Sequence, residues 1–260
     1  MPHIAKIWVY PIKSLDGIEV TQAKVLHSGA LEYDRQFAIF DEQGKYVNAK
    51  RYAKIHLLRS KFDLENNIVS LEVQGEETEK TFNIKSEISR LEAWLSNFFG
   101  FTVKLQKNLI TGFPDDTVSP GPTIVSTATL REIASWYPDF TENDIRLRMR
   151  TTIEIDGVPA FWEDKLFSES GNVINFKIGN LQFSGVNPCQ RCIVPTRNAV
   201  TAEVTSYFQE TFINKRRETL PEWVNKSRFN HYYKLAINTR LANKEVGNKL
   251  IQVGDEINIL

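Results

Sequence analysis

Two closely spaced cysteines and the residues around them restrict the fold of this chain more than any other part of the sequence. Cys189 and Cys192 are the only cysteines among 260 residues, and Pro195 follows shortly after them. Apolar and polar residues alternate before the pair, with Leu181 and Phe183 on one side of the alternation. Because alternation is typical of strands and proline ends helices, this stretch predicts a strand, a turn and a second strand, with no helix beginning at the thiols.

Three kinds of chemistry can use such a pair. A structural zinc site needs about four ligands, but the histidines that could complete one are far apart in the sequence, at His3, His27, His56 and His231. A dithiol redox motif normally lies at the start of a helix, and no helix is expected here. A single thiolate can instead ligate a soft transition metal. Judged on the pair alone, two cysteines that only pack in the core are the default interpretation.

Residues 187–196, NPCQRCIVPT, resemble the cysteine loop of the MOSC family, which is named after the C-terminal domain of molybdenum cofactor sulfurase. The family pattern is roughly P-C-x-R-C-x-x-x-T. In the amidoxime-reducing members, the second cysteine ligates the molybdenum of a molybdopterin cofactor. The resemblance therefore implies that Cys192 is the metal ligand and a catalytic residue. It also implies that the cofactor contacts Cys189, Arg191 and Thr196.

A second resemblance lies near the N-terminus. Residues 10–14, YPIKS, are similar to the opening motif of the N-terminal barrel domain that accompanies the MOSC core in the amidoxime-reducing members. In those members the lysine and the serine hold the phosphate of the cofactor, a role that suits an ammonium and a hydroxyl. The match implies that Lys13 and Ser14 bind the phosphate, although a lysine in a turn is by default simply solvated.

The same resemblance assigns two further cations to the cofactor. The order G-x-L-x-x-D-R in residues 29–35 is similar to a cofactor-contacting element and implies Arg35. Without the resemblance, Arg35 would form only a surface pair with Asp34, worth about 0–1 kcal/mol. Where the family has T-x-R, this chain has Asn48-Ala49-Lys50. Lys50 or the following Arg51 is the expected substitute, although lysine lacks the two-pronged geometry of arginine.

Residues 145–155 carry arginines at alternate positions, so a strand would place Arg146, Arg148 and Arg150 on one face. The family has R-x-R-P-N in this region. The match implies that Arg148 and Arg150 contact the cofactor, and that the hydroxyl of Thr152 replaces the asparagine.

Two other segments resemble parts of the family that lie near the metal. Residues 160–164, AFWED, are similar to the A-F-x-E-D loop and imply Glu163 and Asp164 as carboxylates that deliver protons. A solvated acidic pair is the default interpretation without that resemblance. Ser119 matches a loop upstream of the MOSC core that touches the cofactor in the relatives.

Short alternating segments between turn residues predict an α+β fold that is mainly β. Helices are predicted in residues 88–98 before Gly100, after an N-cap at Ser126, and over residues 203–215. The inward face of the third helix would comprise Val204, Tyr207, Phe208 and Phe212.

A loop rich in proline, glycine and aspartate, over residues 108–122, predicts a domain boundary. By resemblance, residues 1–115 would form an N-terminal β-barrel-like domain. Residues 116–260 would form the MOSC β-barrel core.

The charge balance argues against several function classes. Lysine and arginine number 32 and aspartate and glutamate number 32, so no net field would attract nucleic acid or an acidic membrane. No apolar run approaches the ~20 residues of a membrane helix, and the N-terminus does not resemble a signal peptide. We therefore expect a cytoplasmic protein with reduced thiols and with neither a nucleic acid nor a membrane as partner.

The resemblance implies a molybdenum-cofactor-dependent oxidoreductase that reduces N-hydroxylated small molecules, namely hydroxylamines, amidoximes and N-hydroxylated bases, by removing the oxygen atom. An iron–sulfur cluster needs about four thiolates, so we expect none in this chain. A separate protein of the flavin reductase, ferredoxin or cytochrome type would donate electrons. One alternative is a sulfur carrier or cofactor-binding protein that receives sulfur from a cysteine-desulfurase-like partner. Another is a dithiol oxidoreductase with a Cys189–Cys192 disulfide.

Overall fold

Strands make up most of the regular structure, as the short alternating segments predict. The computed structural model describes residues 1–242 and 250–260. Its strands are β1 (His3–Val9), β2 (Ile18–Val20), β3 (Gln22–Lys24), β4 (Phe37–Asp41), β5 (Leu58–Asp63), β6 (Ile68–Val73), β7 (Lys80–Asn83), β8 (Val103–Lys107), β9 (Ile124–Ser126), β10 (Ile153–Asp156), β11 (Ile174–Ile178), β12 (Leu181–Gln190), β13 (Lys234–Leu241), β14 (Leu250–Gln252) and β15 (Ile257–Ile259). Its α-helices are α1 (Ile88–Phe99), α2 (Thr127–Ala134), α3 (Glu142–Met149) and α4 (Phe208–Glu218). The predicted α+β class, mainly β, is confirmed.

The largest sheet joins distant parts of the chain. Its eight strands follow the order β15-β11-β12-β13-β9-β10-β1-β2. The N-terminal strand β1 thus pairs antiparallel with β10, with Ile7 opposite Ile153. Ile4, Ile7 and Ile153 are fully buried in the core of this sheet. The pairing holds the loop after β1 beside the loop before β10, and both loops carry predicted site residues.

The ladder of this sheet does not close into a ring within the described ranges, since β15 and β2 are its two edges. The β15 edge nevertheless approaches the start of strand β1. The amide of Ile4 donates to the carbonyl of Asp255 at 2.9 Å, and the amide of Ile257 donates to the carbonyl of Pro2 at 2.9 Å. The sheet is therefore curled strongly enough for the residues around β15 to bond to the start of β1.

A second core lies between helix α1 and the smaller sheets. β4 pairs with β8, and β5, β6 and β7 form a meander. Leu91, Leu95 and Phe98 of α1 are buried in this core. Gly100 follows with φ of 83° and ends the helix, as predicted. The start of α2 is also confirmed, because Ser126 caps it.

The arginine-rich segment is a helix followed by a strand, so the prediction of one continuous strand there is wrong. Helix α3 begins at a capping box, in which the Thr141 hydroxyl accepts from the Asp144 amide and the Asp144 carboxylate accepts from the Thr141 amide. The helix ends at Arg150, whose φ of 53° is left-handed. Arg146 turns inward and donates to Glu154 at 2.5 Å. The three arginines therefore do not share one face of a strand.

The third predicted helix starts later than expected. Helix α4 begins at Phe208, because the amide of Thr205 donates to the end of the cysteine loop at 2.8 Å and holds the preceding residues against that loop. Val204 and Tyr207, predicted to face inward, are 70% and 77% exposed. Phe208 and Phe212 are buried, as predicted. None of the helices in residues 1–242 and 250–260 has the length and apolar character needed to span a membrane.

The cysteine loop follows the prediction only in its first half. Strand β12 runs through Cys189 and ends one residue later. After Cys192 the chain forms a 3-10 turn at Val194–Thr196 instead of the predicted second strand. Pro195 lies in the first turn of this short helix, where its missing amide hydrogen is not needed.

Candidate functional site

A cavity of about 600 Å³ opens where the loop after β1, the end of α3 and the end of β12 meet. Residues from both halves of the chain line it, because β1 and β10 are neighbours in one sheet. The predicted site residues that line the cavity are Lys13, Ser14, Arg35, Lys50, Ser119, Arg148, Arg150, Thr152, Cys189, Arg191 and Cys192. The structure thus brings most of the predicted site together.

Two ammonium groups lie close together in the cavity lining. The side chain of Lys13 is only 8% exposed, and its Nζ donates to the Phe113 carbonyl and to Oδ1 of Asp115, both at 2.8 Å. The Nζ of Lys50 lies 3.8 Å from the same carboxylate. Burial lowers the pKa of Lys13, and the Asp115 carboxylate opposes that shift. Two cations that converge on one carboxylate form a geometry that can bind an anion.

Three of the predicted cofactor residues have a left-handed backbone although none is glycine. The angle φ is 74° at Ser14, 50° at Arg35 and 53° at Arg150. Such conformations cost about 1–3 kcal/mol each and cluster at functional sites, where the surrounding structure enforces them. At Ser14 the hydroxyl accepts from the amide of Ala49 at 3.3 Å. The strain therefore coincides with the residues that the resemblance assigns to the phosphate and the pterin.

The ring of a tyrosine contacts two guanidinium groups that also line the cavity. The guanidinium carbons of Arg35 and Arg150 lie 4.9 and 4.3 Å from the centre of the Tyr10 ring. Arg35 also pairs with Asp34 at 2.5 Å and donates to the carbonyl of Arg150 at 3.1 Å, while Arg150 donates to the carbonyl of Leu15 at 2.5 Å. Burial raises the pKa of Tyr10 to about 12, so the ring stays neutral. The two arginines are thereby held in fixed positions.

Two cysteines also line the cavity. Both thiols are free and half-buried. The register of β12 against β13 shifts twice near them, between Gly185 and Asn187 and again between Pro188 and Gln190, where Cys189 lies. Such bulges redirect side chains, here next to the thiols. In the part of the chain that the structure describes, no group of three histidine, cysteine, aspartate or glutamate residues could hold a metal ion.

Two arginines tie the cysteine loop to the end of α3. Arg191 donates to Sγ of Cys189 at 3.3 Å and to the carbonyl of Met149. Arg148 donates to the carbonyl of Pro195 at 2.9 Å. Because these guanidinium groups are engaged with the protein, both residues position the loop as well as lining the cavity.

The two predicted hydroxyl contacts differ in their environment. Oγ1 of Thr152 accepts from the Thr123 amide at 2.6 Å and donates to the Thr123 carbonyl at 3.1 Å. These hydrogen bonds connect the segment before β10 with the segment before β9. Ser119 is 4% exposed, and its hydroxyl has no hydrogen-bond partner among the described residues. An unpaired buried hydroxyl costs free energy, so Ser119 is the hydroxyl that a ligand would satisfy.

Three predicted site residues lie outside the cavity lining. The hydroxyl of Thr196 donates within its own turn at 2.7 Å. Glu163 is buried and accepts from the Thr129 hydroxyl at 3.1 Å. Burial, and then the charge of Asp164, raise the pKa of Glu163 to about 7. Asp164 is also buried and pairs with Arg216. These contacts support the fold, and proton delivery by Glu163 or Asp164 stays a prediction.

The cavity also contains polar residues that sequence reasoning missed, notably His56, Asp115 and Asn238. His56 is 8% exposed, and burial together with three neighbouring arginines lowers its pKa to about 4. The imidazole is therefore neutral at pH 7. A single histidine, aspartate or asparagine belongs to no spacing pattern, so the sequence alone carries no signal for these three.

Comparison with known proteins supports the resemblance. Residues 1–103 match the family model described as the MOSC N-terminal beta barrel domain. Molybdenum cofactor sulfurase of Homo sapiens is 26% identical in an alignment that covers 84% of this chain and 29% of that protein. Mitochondrial amidoxime reducing component 2 of Homo sapiens is 26% identical over 74% of this chain and 66% of that protein. Molybdenum cofactor sulfurase 2 of Culex quinquefasciatus is 23% identical over 83% of this chain and 33% of that protein.

The chain thus spans about a third or less of the two sulfurases and 66% of the amidoxime reducing component. The matched N-terminal region supplies Lys13, Ser14, Arg35 and Lys50 to the cavity. Residues 1–103 therefore match the MOSC N-terminal beta barrel domain model, and most of the chain is similar to molybdenum cofactor sulfurases and to the mitochondrial amidoxime reducing component.

Proposed function

We propose that this chain binds a molybdenum–pterin cofactor in the cavity and reduces N-hydroxylated small molecules there. One observation carries the proposal: a pair of free thiols and a cluster of lysine and arginine side chains line a single cavity of about 600 Å³. A ligand that carries both an anionic group and a soft metal would match that lining.

The residues present fit such a cofactor. Lys13 and Lys50 converge on one carboxylate, as they would on a phosphate. Ser14 lies beside them with a strained backbone, and the buried hydroxyl of Ser119 needs a partner. Cys192 provides the thiolate that softer metals prefer. The cavity volume falls within the range of small-molecule and cofactor sites, about 300–1,000 Å³.

When bound, the cofactor supplies the two-electron chemistry that removes oxygen from an N–OH group. The chain's own residues bind and orient it. Arg191 and Arg148 hold the cysteine loop against α3 and so fix where Cys192 can place its sulfur. The carboxylate of Asp116 accepts from the side-chain Nδ2 of Asn238 at 3.2 Å and keeps that side chain in the polar lining. Electrons would come from a separate donor protein of the flavin reductase, ferredoxin or cytochrome type, with the chain acting in the cytoplasm.

The first experiment measures molybdenum by inductively coupled plasma mass spectrometry in protein from cells that make the cofactor. We expect nearly one metal atom per chain in the wild type, together with turnover of a hydroxylamine by a chemical reductant. Cys192→Ala should abolish turnover. Ile193→Ala, which changes an exposed side chain of the same loop outside the cavity lining, is the matched control and should leave turnover unchanged. Wild-type turnover by Cys192→Ala would remove that cysteine from the mechanism. Absence of molybdenum from the wild type would remove the reductase proposal.

A second candidate is a sulfur carrier that receives sulfur from a cysteine-desulfurase-like partner. The relation to molybdenum cofactor sulfurase of Homo sapiens, over 84% of this chain, favours it. In this role Cys192 would carry the sulfur as a persulfide. Mass spectrometry of the intact protein would then show a Cys192 persulfide without bound pterin, whereas a bound pterin and an unmodified thiol would contradict it.

A further inference from the structure

The pair of lysines in the cavity lining already holds an anion that belongs to the chain. The carboxylate of Asp115 lies 2.8 Å from Nζ of Lys13 and 3.8 Å from Nζ of Lys50. These are the two ammonium groups that would hold the phosphate of a cofactor. Asp115 therefore lies where it competes directly with an incoming phosphate.

The backbone on both sides of Asp115 is anchored. On one side, the amide of Phe113 donates to the carbonyl of Arg35 at 2.8 Å, and the Phe113 ring lies 5.6 Å from the ring of Phe40. On the other side, Asp116 accepts from the amide of Ser119 at 3.1 Å. A group tethered in this way competes as an intramolecular ligand, with a high effective concentration.

The Asp115 side chain can leave its position without disturbing the core. It is 65% exposed, whereas the side chain of Lys13 is 8% exposed. Partial desolvation raises the pKa of Asp115, but the charges of Lys13, Lys50 and Arg35 outweigh it and hold the pKa well below its usual range. The carboxylate is thus ionised at neutral pH, and the lysine is the fixed member of the pair.

We propose that Asp115 is a specificity-determining residue, whose carboxylate excludes simple anions from the Lys13–Lys50 site and yields to a phosphate that is part of a larger ligand. A free phosphate gains only the contacts to the two lysines, so it must displace the carboxylate with those contacts alone. A phosphate carried by a cofactor also gains the contacts of its organic part with the rest of the cavity. The identity of that cofactor rests on the proposed function, but the competition itself needs only these three residues.

The test measures binding of inorganic phosphate by isothermal titration calorimetry at constant ionic strength. The protein is the full chain from cells that do not make the pterin cofactor. Asp115→Asn should bind phosphate about five-fold more tightly than the wild type. This factor corresponds to about 1 kcal/mol, the upper value for an ion pair with a solvent-exposed partner, which no longer competes in the variant. Glu79→Gln is the matched control, because it changes the net charge equally but breaks an exposed pair with Lys61, outside the cavity lining. It should leave phosphate binding unchanged.

Adding Lys13→Met to Asp115→Asn should remove the gain, since both act at one site. Equal or weaker binding by Asp115→Asn would overturn the proposal, and weaker binding would mean that Asp115 orients Lys13 for the ligand. A gain that survives Lys13→Met, or no phosphate binding by either protein, would overturn it too. Molybdenum content is measured separately, so failure here leaves the reductase proposal to its own experiment. Thermal melts of each variant establish that it is folded.

Discussion

A buried ion pair lies outside the cavity lining, between Asp164 and Arg216 of helix α4. Asp164 is 4% exposed and Arg216 is 1% exposed, and the two side chains are directly hydrogen-bonded. The guanidinium carbon of Arg216 also lies 4.1 Å from the ring centre of Phe161 and 5.0 Å from that of Phe229. Arg216→Met would keep much of the side-chain volume and remove only the charge and its hydrogen bonds.

The expected loss of stability in Arg216→Met arises because the Asp164 carboxylate stays buried without its partner. Removing one partner of a buried ion pair leaves an uncompensated charge and typically costs about 3–5 kcal/mol. For a chain of this length that corresponds to a drop in melting temperature of roughly 10 °C. Burial already raises the pKa of Asp164 in spite of Arg216, and loss of the cation would raise it further. When the pKa of a carboxyl is higher in the folded than in the unfolded protein, the protein loses stability as pH rises from the lower pKa to the higher one. The loss of stability caused by Arg216→Met should therefore be smaller at pH 5 than at pH 7.

Urea unfolding and thermal melts at pH 5 and pH 7 measure the loss of stability in Arg216→Met. Arg90→Met, which breaks an exposed pair with Glu87, is the matched control and should cost at most about 1 kcal/mol. The double variant Asp164→Leu with Arg216→Met should recover most of the loss, because it removes both charges. A single variant as stable as the control, or a double variant as unstable as the single, would refute the reasoning. Full turnover by the folded double variant would also end the expected role of Asp164 in proton delivery.

Three further predictions concern single residues. Ser14→Gly should change the free energy of unfolding by less than about 1 kcal/mol, because relief of the positive φ offsets the lost hydroxyl contact. Bound pterin per chain should nevertheless fall, and urea unfolding with pterin fluorescence tests both statements; undiminished pterin would contradict the phosphate role. Glu163→Gln should stabilise the fold more at pH 8 than at pH 5. The folded-state pKa of Glu163 is raised from 4.5 to about 7, so the wild type loses up to about 3 kcal/mol as pH rises through that window. Thermal melts that show the same difference at both pH values would disprove this. Gly185→Ala should cost about 3 kcal/mol, because an ideal Cβ would lie 1.7 Å from the Leu166 carbonyl oxygen; an unchanged urea midpoint would rule the clash out.

Features that depend on a few neighbouring residues were predictable from the sequence. Gly100 ends α1 and Ser126 begins α2 because the end of a helix is set by local hydrogen bonds and local backbone angles. The failure over residues 145–155 was local as well. Alternating arginines suggested a strand, while Thr141 and Asp144 formed a capping box that would have indicated a helix.

The site itself was predictable only where a motif marked it. Lys13 and Cys192 were found through their motifs, and the structure places both on one cavity. His56 and Asp115 reach the same cavity through tertiary contacts between segments far apart in the sequence, and no periodicity encodes such contacts. The left-handed angle of Arg35 was equally hidden, because arginine has no preference for it and the surrounding structure must enforce it.

The conformational cost of the residues in the cationic part of the cavity lining indicates the role of these residues. The left-handed angles at Ser14, Arg35 and Arg150 each cost about 1–3 kcal/mol, and the two guanidinium groups are partly desolvated as well. Such a cost persists only where packing elsewhere over-determines the backbone, here through β1 paired with β10. The cations are therefore held in place before any ligand arrives, which lowers the entropy that binding must lose. A fixed cluster of like charges also attracts every small anion, and Asp115 is placed where it can offset that charge until a ligand with more contacts replaces it.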